Sequence, residues 1–427
     1  MRRNPGLYPG PDNRSLGSRK KITKASVKLA ALNMSGMGNH SLWHIDNKWF
    51  HLWQEIRTNK VGVMIVGEAH LNAERHRDIE NLFGRSLKVE FTPDPTAPTS
   101  RAGLAFVLNK TLMRTDNVVT HTVIPGRAML LEAEWHGKDP LSILGVYAPN
   151  APAQNAQFWR DIKQWFLNNP GVLKPDAIGG DTNIVEDAID RLPAHIDADE
   201  ATTELDNLKS YLGLVDGWRA TYPTTRAYTY LQTATNSQSR IDRIYVNHRI
   251  TDQTYKWEIQ PVGFRTDHQM VSVRVTTADA PTTGPGRWVW PKSIMSDKIL
   301  KEYIQTEGLK LLCQLLSMAR RPNVRANDYN PQAAWADFKM RIIRMARTRA
   351  KTVIPKATQE IKETEAQLEI ILGDQSVSEE ERKLSGAVLT QKLTHLYISR
   401  HKKARIDSHI RNRLEGEVIS KYWSMIN

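Results

Sequence analysis

The chain of 427 residues contains one cysteine, Cys313. A single thiol excludes a disulfide framework and a cysteine-based zinc site, and it suits a reducing compartment, the nucleus or the cytosol. Cys313 falls in the apolar helical stretch 309–318, where it reads as a small buried hydrophobe. No window approaches the roughly 18 consecutive apolar residues that a membrane span needs. Residues 1–28 are basic but lack an apolar core segment, so they do not read as a secretory signal. Disorder throughout is excluded too, because the 40% of hydrophobic residues fall in dense, regularly spaced clusters.

Acidic side chains are scarce at both ends. The formal net charge is +13. Residues 1–28 carry 8 basic and 1 acidic side chains, 287–427 carry 26 and 16, and 29–286 hold the remaining 25 and 29. The flanks are thus +7 and +10 against −4 in the middle. Basic flanks favour a polyanionic partner, usually nucleic acid. In the C-terminal helices the same charge also fits a solvated face.

Residues 1–26, rich in Gly, Pro, Asn, Arg and Lys, read as a disordered basic arm. Over 27–278 short apolar runs alternate with helical ones. Strands are predicted over 27–32, 61–66, 104–108, 141–146, 176–178, 241–246 and 270–275, most of them buried on both faces. Trp49, Leu52, Trp53 and Ile56 recur at helical spacing within 46–57, as do Phe158, Trp159, Ile162 and Phe166 within 155–167. Both stripes read as core-facing. Residues 279–292 form a linker with Pro and Gly, and 293–427 are helical. Helices are predicted over 299–318, over 331–350 with a basic run at Arg341, Arg344, Arg347, Arg349 and Lys351, and over 357–372 and 379–419. The last two, joined by a turn at 373–378, suggest an antiparallel hairpin, with Ser378 and Glu381 as a capping box.

Several strands deliver a polar residue just past their last apolar position. Asn33 follows 27–32, Glu68 and His70 follow 61–66, Tyr147 and Asn150 follow 141–146, and Asp181 and Asn183 follow 176–178. Asp242 lies inside 241–246, and Asp267 with His268 precedes 270–275. In layered α/β folds sites form where strand ends converge, so these residues could share one cleft. Singly, most are ordinary turn or solvated residues. Asp242 is different, since its buried neighbours Ile241 and Ile244 require a partner to offset its desolvation. Together the set has what metal-assisted hydrolysis of a phosphate ester needs. Carboxylates hold a hard cation, Asn amides and a His contact phosphate oxygens, and an Asp positions the attacking water.

The segments LNMSG (32–36), GEAHL (67–71), GVYAPN (145–150), GGDTN (179–183), SRIDRIYV (239–246) and TDHQMV (266–271) resemble, in that order, motifs of the endonuclease/exonuclease/phosphatase family. That family has the DNase I-like fold, and SRAGLAFVLNK (100–110) fits a further strand of it. The resemblance is strong over 29–276 and looser over 286–427. SRIDRIYV and Gly286-Arg287-Trp288 look most like the endonuclease of LINE-type (non-LTR) retrotransposon polyproteins, where a helical stretch leads to a reverse transcriptase. Residues 415–427 (EGEVISKYWSMIN) are similar to the segment before such a polymerase. The fold implied is a four-layered α/β sandwich of two mixed sheets, followed by an α-helical extension.

The activity implied is that of a magnesium-dependent endonuclease, manganese being the alternative, that nicks one strand of duplex DNA in the nucleus. Element RNA would be a further partner of the basic flanks. By the resemblance, Glu68 is the principal metal ligand, assisted by Asn33 and Asp267. Asp181 orients or deprotonates the water, and Asn183 and Tyr147 contact the scissile phosphate. His268, held by Asp242, stabilises charge developing on the phosphoryl oxygens. Asn150, Arg240 and Tyr230 are the expected DNA contacts, and His70 reads as structural. Gly67 and Ala69 depart from the Gln and Thr that commonly flank the Glu, which alters the surroundings of the cation rather than its ligand. The nearest rival is an apurinic-site repair endonuclease. A catalytically inactive nucleic-acid-binding transposon fragment is a rival of another class, while phosphoinositide or sphingomyelin hydrolysis fits the basic arms less well. Residues 222–238 (YPTTRAYTYLQTATNSQ) are expected to project beside the site. They lack the bulky apolar wedge of an enzyme that fills a damaged position in the stack.

Overall fold

The computed structural model describes residues 23–42, 44, 46–135, 140–277, 280–283, 290–291, 294–295, 297–320 and 330–415, with backbone alone at 353–357 and 403–415. The arm up to residue 22, most of the linker including Gly286-Arg287-Trp288, and 416–427 lie outside them.

Strands β1 (Thr23–Lys24) and β2 (Ser26–Asn33) lead through helix α1 (Lys48–Asn59) to β3 (Val63–Gly67), and α2 (Ala73–Phe83) precedes β4 (Leu87–Thr92) and β5 (Leu104–Asn109). A meander of β6 (Val119–Ile124), β7 (Ala128–Ala133) and β8 (Leu141–Tyr147) crosses through α3 (Pro152–Asn168) to β9 (Ala177–Asp181). After β10 (Arg191–Leu192) come α4 (Asp199–Leu212), β11 (Leu214–Asp216), α5 (Gly217–Thr221) and the hairpin β12 (Tyr230–Gln232) and β13 (Ser237–Ser239). The region ends with β14 (Asp242–Asn247), β15 (Thr254–Gln260), β16 (Met270–Thr276) and β17 (Thr282–Thr283). Thr23 and Lys24, expected in the disordered arm, are instead paired with Thr283 and Thr282.

Two six-stranded sheets result, in the orders β15-β16-β2-β3-β5-β4 and β11-β14-β9-β8-β7-β6. Each is antiparallel except for one parallel pair, β2 with β3 and β8 with β9. Each parallel pair is joined through a helix, since a parallel connection has to cross a face of the sheet. The strands are apolar on both sides because they are covered on both sides. Leu29, Ile65, Phe106, Ile143, Ile244 and Val273 fill the space between the sheets. Leu32, Met64 and Val66 meet Trp49, Leu52 and Ile56 of α1, while Leu144, Val146 and Ile178 meet Phe158, Trp159 and Ile162 of α3. The four layers are helix, sheet, sheet, helix, the architecture expected from the sequence.

Two glycines make the second parallel pair possible. A Cβ on Gly179 would stand 2.7 Å from Ile65 of the facing sheet. Gly180 has φ +140°, and a Cβ there would lie 1.9 Å from the Val146 carbonyl oxygen. At Gly180 no other residue fits, and the strand can then run on to Asp181.

Beyond the sandwich lie α6 (Lys298–Arg320), α7 (Pro331–Gly373) and α8 (Glu379–Glu415). The expected break between 350 and 357 is absent, and α7 runs through Pro355. Interior proline costs a helix about 3 kcal/mol. Here both halves of α7 are packed: Ala346 against Leu300 of α6, and Ile361 against Leu393 and Tyr397 of α8. Cys313 is exposed, contrary to expectation. Leu311, Leu315 and Met318 face the α7 side, and a residue two positions from Leu311 points nearly the opposite way around the helix. The Glu381 amide donates to Ser378 Oγ at 3.2 Å, which caps α8.

A charge network locks β14 to its surroundings. Arg240 donates to both Asp190 oxygens at 2.7 Å and to Asp216 at 2.8 Å. Arg243 reaches Glu186 at 2.9 Å, Asp216 at 3.0 Å and Asp190 at 3.2 Å, and Arg219 also pairs with Asp190. Arg240 and Arg243 are 1% and 2% exposed. Arg240, expected to contact DNA, is therefore an interior residue, because two carboxylates, Asp190 and Asp216, offset its desolvation where a cleft position would leave it to solvent. Burial alone would raise the Asp216 carboxyl, but Arg240 and Arg243 hold it down at about 2.

Removing Asp190 leaves buried guanidinium groups uncompensated. Asp190→Ala should lower unfolding free energy by about 3–5 kcal/mol, read from the urea midpoint of the sandwich. A loss within about 0.5 kcal/mol, the size usual for surface substitutions, would show that the network is solvated.

Candidate active site

The carboxyl ends of both parallel pairs emerge at the same edge of the sandwich. Register sets Asn33 beside Gly67, the residue before Glu68, and Tyr147 beside Asp181. In the antiparallel neighbour, Asp242 lies opposite Asp181. Residues from both sheets thus meet in one cleft, as expected of strand ends in layered α/β folds.

Asn33 spans the two sheets. Its Nδ2 donates to Glu68 Oε1 at 3.1 Å and to Asp181 Oδ2 at 3.1 Å, while its Oδ1 accepts from the Ser35 amide at 2.9 Å. Tyr147 donates its hydroxyl to the same Glu68 oxygen at 3.0 Å. His268 Nδ1 is 2.7 Å from Asp242 Oδ2, and its Nε2 lies 4.0 Å from Asp181 Oδ2. Asp242 is the buried acid that required a partner, and His268 is that partner. The Asn183 amide nitrogen donates to Asp181 Oδ1 at 3.0 Å, and its side chain donates to the Ala148 carbonyl at 2.8 Å. Asp267 is exposed at the rim and accepts from Ser35 Oγ at 2.5 Å.

The expected DNA contacts separate. Tyr230, on β12, lays its ring 4.9 Å from that of His268. Asn150 is exposed two residues beyond Ala148. Arg240 belongs to the buried network and not to the cleft. His70 is half-buried with φ +49°, and its ring fills the space that a side chain on Gly36 would occupy. Ser35, Glu68 and Asn183 also have left-handed backbone, at φ 50°, 51° and 52°. Each such residue stores roughly 1–3 kcal/mol, and strain of this kind concentrates at functional sites.

Several contributors carried no separate signal in the sequence. Thr229 Oγ1 accepts from the amides of Ile241 and Asp242 at 3.1 and 2.9 Å, fixing the start of β14. Lys48, the first residue of α1, donates to the carbonyls of Met34 and Ser35 at 2.6 and 2.9 Å and so ties down the loop after Asn33. Burial lowers its proton affinity, against the pull of Asp267 and Glu68. Ser35 lies inside LNMSG, so attention to hydroxyls within that motif could have found it. Nothing in one sequence distinguishes Lys48 from any helix-start lysine.

The electrostatics divide the cleft. Burial first, then the charge of Asp242, push the Asp181 carboxyl up to about 7 against the pull of His268. Burial would lower His268, but the charge and hydrogen bond of Asp242 overcome it and raise the imidazole to about 10. His268 is therefore held as the cation, and Asp181 is a carboxylate that accepts a proton near neutrality. Asp181, Asp242 and His268 bring ligand atoms within 4.8 Å of one another and could hold a metal ion. An ion there would have to displace the proton that Asp242 stabilises on His268. Oxygen donors such as those of Glu68, Asn33 and Asp267 suit a hard cation without that cost. Glu68 Oε1 accepts from both Asn33 and Tyr147, which leaves Oε2 to face an ion.

Asp242→Asn removes the countercharge that outweighs burial at His268. The imidazole of the natural protein should stay protonated from about pH 5 to 9 by NMR, and in the variant it should lose its proton at or below the ordinary value of about 6.5. Because the folded value is raised, the pair's stabilisation is complete below about pH 6.5 and fades as pH rises through about 10. Titration of His268 near 6.5 in the natural protein would contradict this assignment.

Residues 49–272, just over half of the chain, match the Endonuclease/Exonuclease/phosphatase family. The uncharacterized 149 kDa protein of transposon TX1 from Xenopus laevis is 32% identical over 182 residues, 42% of this chain and 13% of that protein. Among solved structures, an AP endonuclease from Leishmania major aligns with a TM-score of 0.49 at 14% identity, over 59% of this chain and 88% of that one. The endonuclease domain of TRAS1, a telomere-specific non-LTR retrotransposon, aligns with a TM-score of 0.42 at 12% identity, over 59% and 100%. The family match runs from α1 to β16 and takes in Glu68, Asp181, Asp242 and His268, so this chain belongs to the endonuclease/exonuclease/phosphatase family.

Proposed function

We propose that the chain is a cation-dependent endonuclease that hydrolyses a phosphodiester bond in duplex DNA, nicking the target of a LINE-type retrotransposon. The observation that carries this reading is the meeting of Glu68, Asn33, Asp181 and the Asp242–His268 pair at one edge of both sheets. The similarity to the TX1 protein supports the mobile-element role. Its target being chromosomal DNA, we propose that it acts in the nucleus. The basic segments 1–28 and 287–427 suit phosphate contacts, to DNA or to element RNA.

Glu68, Asn33 and Asp267 would hold magnesium, or manganese, through oxygen donors. When bound, the cation supplies Lewis-acid stabilisation of charge on a phosphoryl oxygen. Asp181 accepts the proton of a water that attacks phosphorus in line with the bond to be broken. Its raised proton affinity matches a base working near neutral pH. His268, kept protonated by Asp242, donates from Nε2 to a phosphoryl oxygen as negative charge builds there. Tyr147 and Asn183 flank the same phosphate from the ends of β8 and β9.

The hairpin β12–β13 favours undamaged duplex over an abasic site. Its turn, Thr233-Ala234-Thr235-Asn236, is small and polar, and Thr235 closes it by bonding Gln232 and Ser237. Such a tip can follow a groove but has no bulk to fill a gap in the stack.

Glu68→Gln keeps shape and removes charge, so nicking of supercoiled plasmid should fall by about a thousandfold or more with folding intact. Chelator should abolish nicking by the natural protein. Near-normal activity in either case would remove the metal assignment, and no cleavage with either magnesium or manganese would favour an inactive binding fragment. On an oligonucleotide with one abasic site, nicks should also fall elsewhere; cleavage confined to that site would make the protein a repair enzyme.

A further inference from the structure

Beyond the bond of its first residue Glu379 with the Ala194 amide, helix α8 touches the sandwich at two further, separated places. At the first, Thr390 Oγ1 donates to Gln238 Oε1 of β13 at 3.2 Å, both groups being buried. Gly386, one turn earlier, faces the same side chain. A Cβ there would stand 3.0 Å from Gln238 Nε2 and 3.1 Å from Leu372 of α7. At the second, His401 Nδ1 lies 2.9 Å from Glu55 Oε1 of α1, and that oxygen also accepts from the Gly263 amide at 2.9 Å. The His401 ring packs so closely on Gly263 that a Cβ there would fall 2.1 Å from it. Fifteen residues separate Gly386 from His401, about 22 Å of helix.

Both contacts bear on the segment that carries the catalytic histidine. Gly263 begins the approach to Asp267 and His268. The hairpin β12–β13 is bonded to that segment directly, with the Leu231 amide donating to the Asp267 carbonyl at 3.1 Å and the Gln269 amide to the Thr229 carbonyl at 2.6 Å. The hairpin is otherwise short, with strands of three residues each, paired on its far side only with the two residues of β10. A ribbon of that size has little stability of its own. Beside β10 and the bonds of Thr229 to the start of β14, what holds its orientation is the catalytic segment on one side and α8, with Leu372 of α7, on the other.

We propose that α8 is a strut that sets the orientation of the β12–β13 hairpin relative to His268, and that Gly386 and Thr390 are positioning residues for the choice of nicking site. The inference rests on the reading of the chain as a DNA-nicking enzyme. Glu68, Asp181 and Asp242 are held by the two sheets, so loss of the strut should redirect cleavage more than slow it.

The test uses the full chain with Gly386→Leu, Thr390→Val and, as the conservative control, Thr390→Ser. Nicks are mapped on supercoiled plasmid alongside the total nicking rate, and amide hydrogen exchange is followed over residues 229–239. Gly386→Leu should reduce the preference for favoured over ordinary sites by about tenfold, the low end of what one groove contact is worth, with total rate little changed. Exchange over 229–239 should quicken in Gly386→Leu. Thr390→Val should act in the same direction more weakly, and Thr390→Ser should keep the natural map. An unchanged map in both disruptive variants overturns the proposal. So does an equal loss of rate at every site, which would make α8 a general stabiliser. Should Gly386→Leu fail to fold, Thr390→Val against Thr390→Ser decides. If the natural protein nicks no DNA, the endonuclease reading fails, while the exchange measurement still reports whether α8 holds the hairpin.

Discussion

The Asn33 amide joins a carboxylate of one sheet to a carboxylate of the other, and the cleft depends on that bridge. Glu68 stands at the end of β3 and Asp181 at the end of β9, in sheets whose only covalent links are distant loops. Two acids drawn together and partly desolvated repel each other and favour protonation. One NH2 group donating to both gives each acid a neutral partner and fixes their spacing. Asp242 does the same with opposite charge, holding a protonated His268 near Asp181. The geometry follows from where the parallel pairs end, and the chemistry from how their charges are compensated.

Two charged clusters lie along β14 and differ in kind. Arg219, Arg240 and Arg243 meet Asp190, Asp216 and Glu186 in a largely buried group whose charges balance, three against three. The cleft beside it holds more carboxylate than cation. A balanced buried cluster serves position, because removing any member leaves an uncompensated charge. An unbalanced one with carboxylate in excess favours a cation. Asp242 sits between the arginines in sequence and on the other side in space, so the same rigid strand turns an acid toward His268.

The helical region is tied into the same construction. Its first part packs α6 on α7 through Leu300, Leu311 and Ala346. Its second part, α7 with α8, rests on the small sheet through Leu372, Tyr228 and Leu192. Glu379 accepts from the Ala194 amide at 2.6 Å, which secures the start of α8 as well. A segment that composition describes only as basic and helical is thus in contact with the hairpin that packs on His268.

The strand cores and the polar residues at their ends were legible in the sequence, because burial on both faces leaves unbroken apolar runs and polarity returns where a strand leaves the sheet. The core-facing stripes of α1 and α3 were legible for the same reason, at helical spacing. Features that depend on distant partners were not. Arg240 looks like a DNA contact until Asp190 and Asp216, 50 and 24 residues away, are seen to enclose it. Cys313 looks buried until the face that α6 turns toward α7 is known. Pro355 looks like a break until packing on both halves of α7 outweighs it. The sequence by itself determined which residues are apolar in which period, and hence the layers, and which acids, amides and histidine stand at strand ends. Only the tertiary structure decided which of these meet, since hydrogen bonding and desolvation act through space and the separations they bridge here span most of the chain.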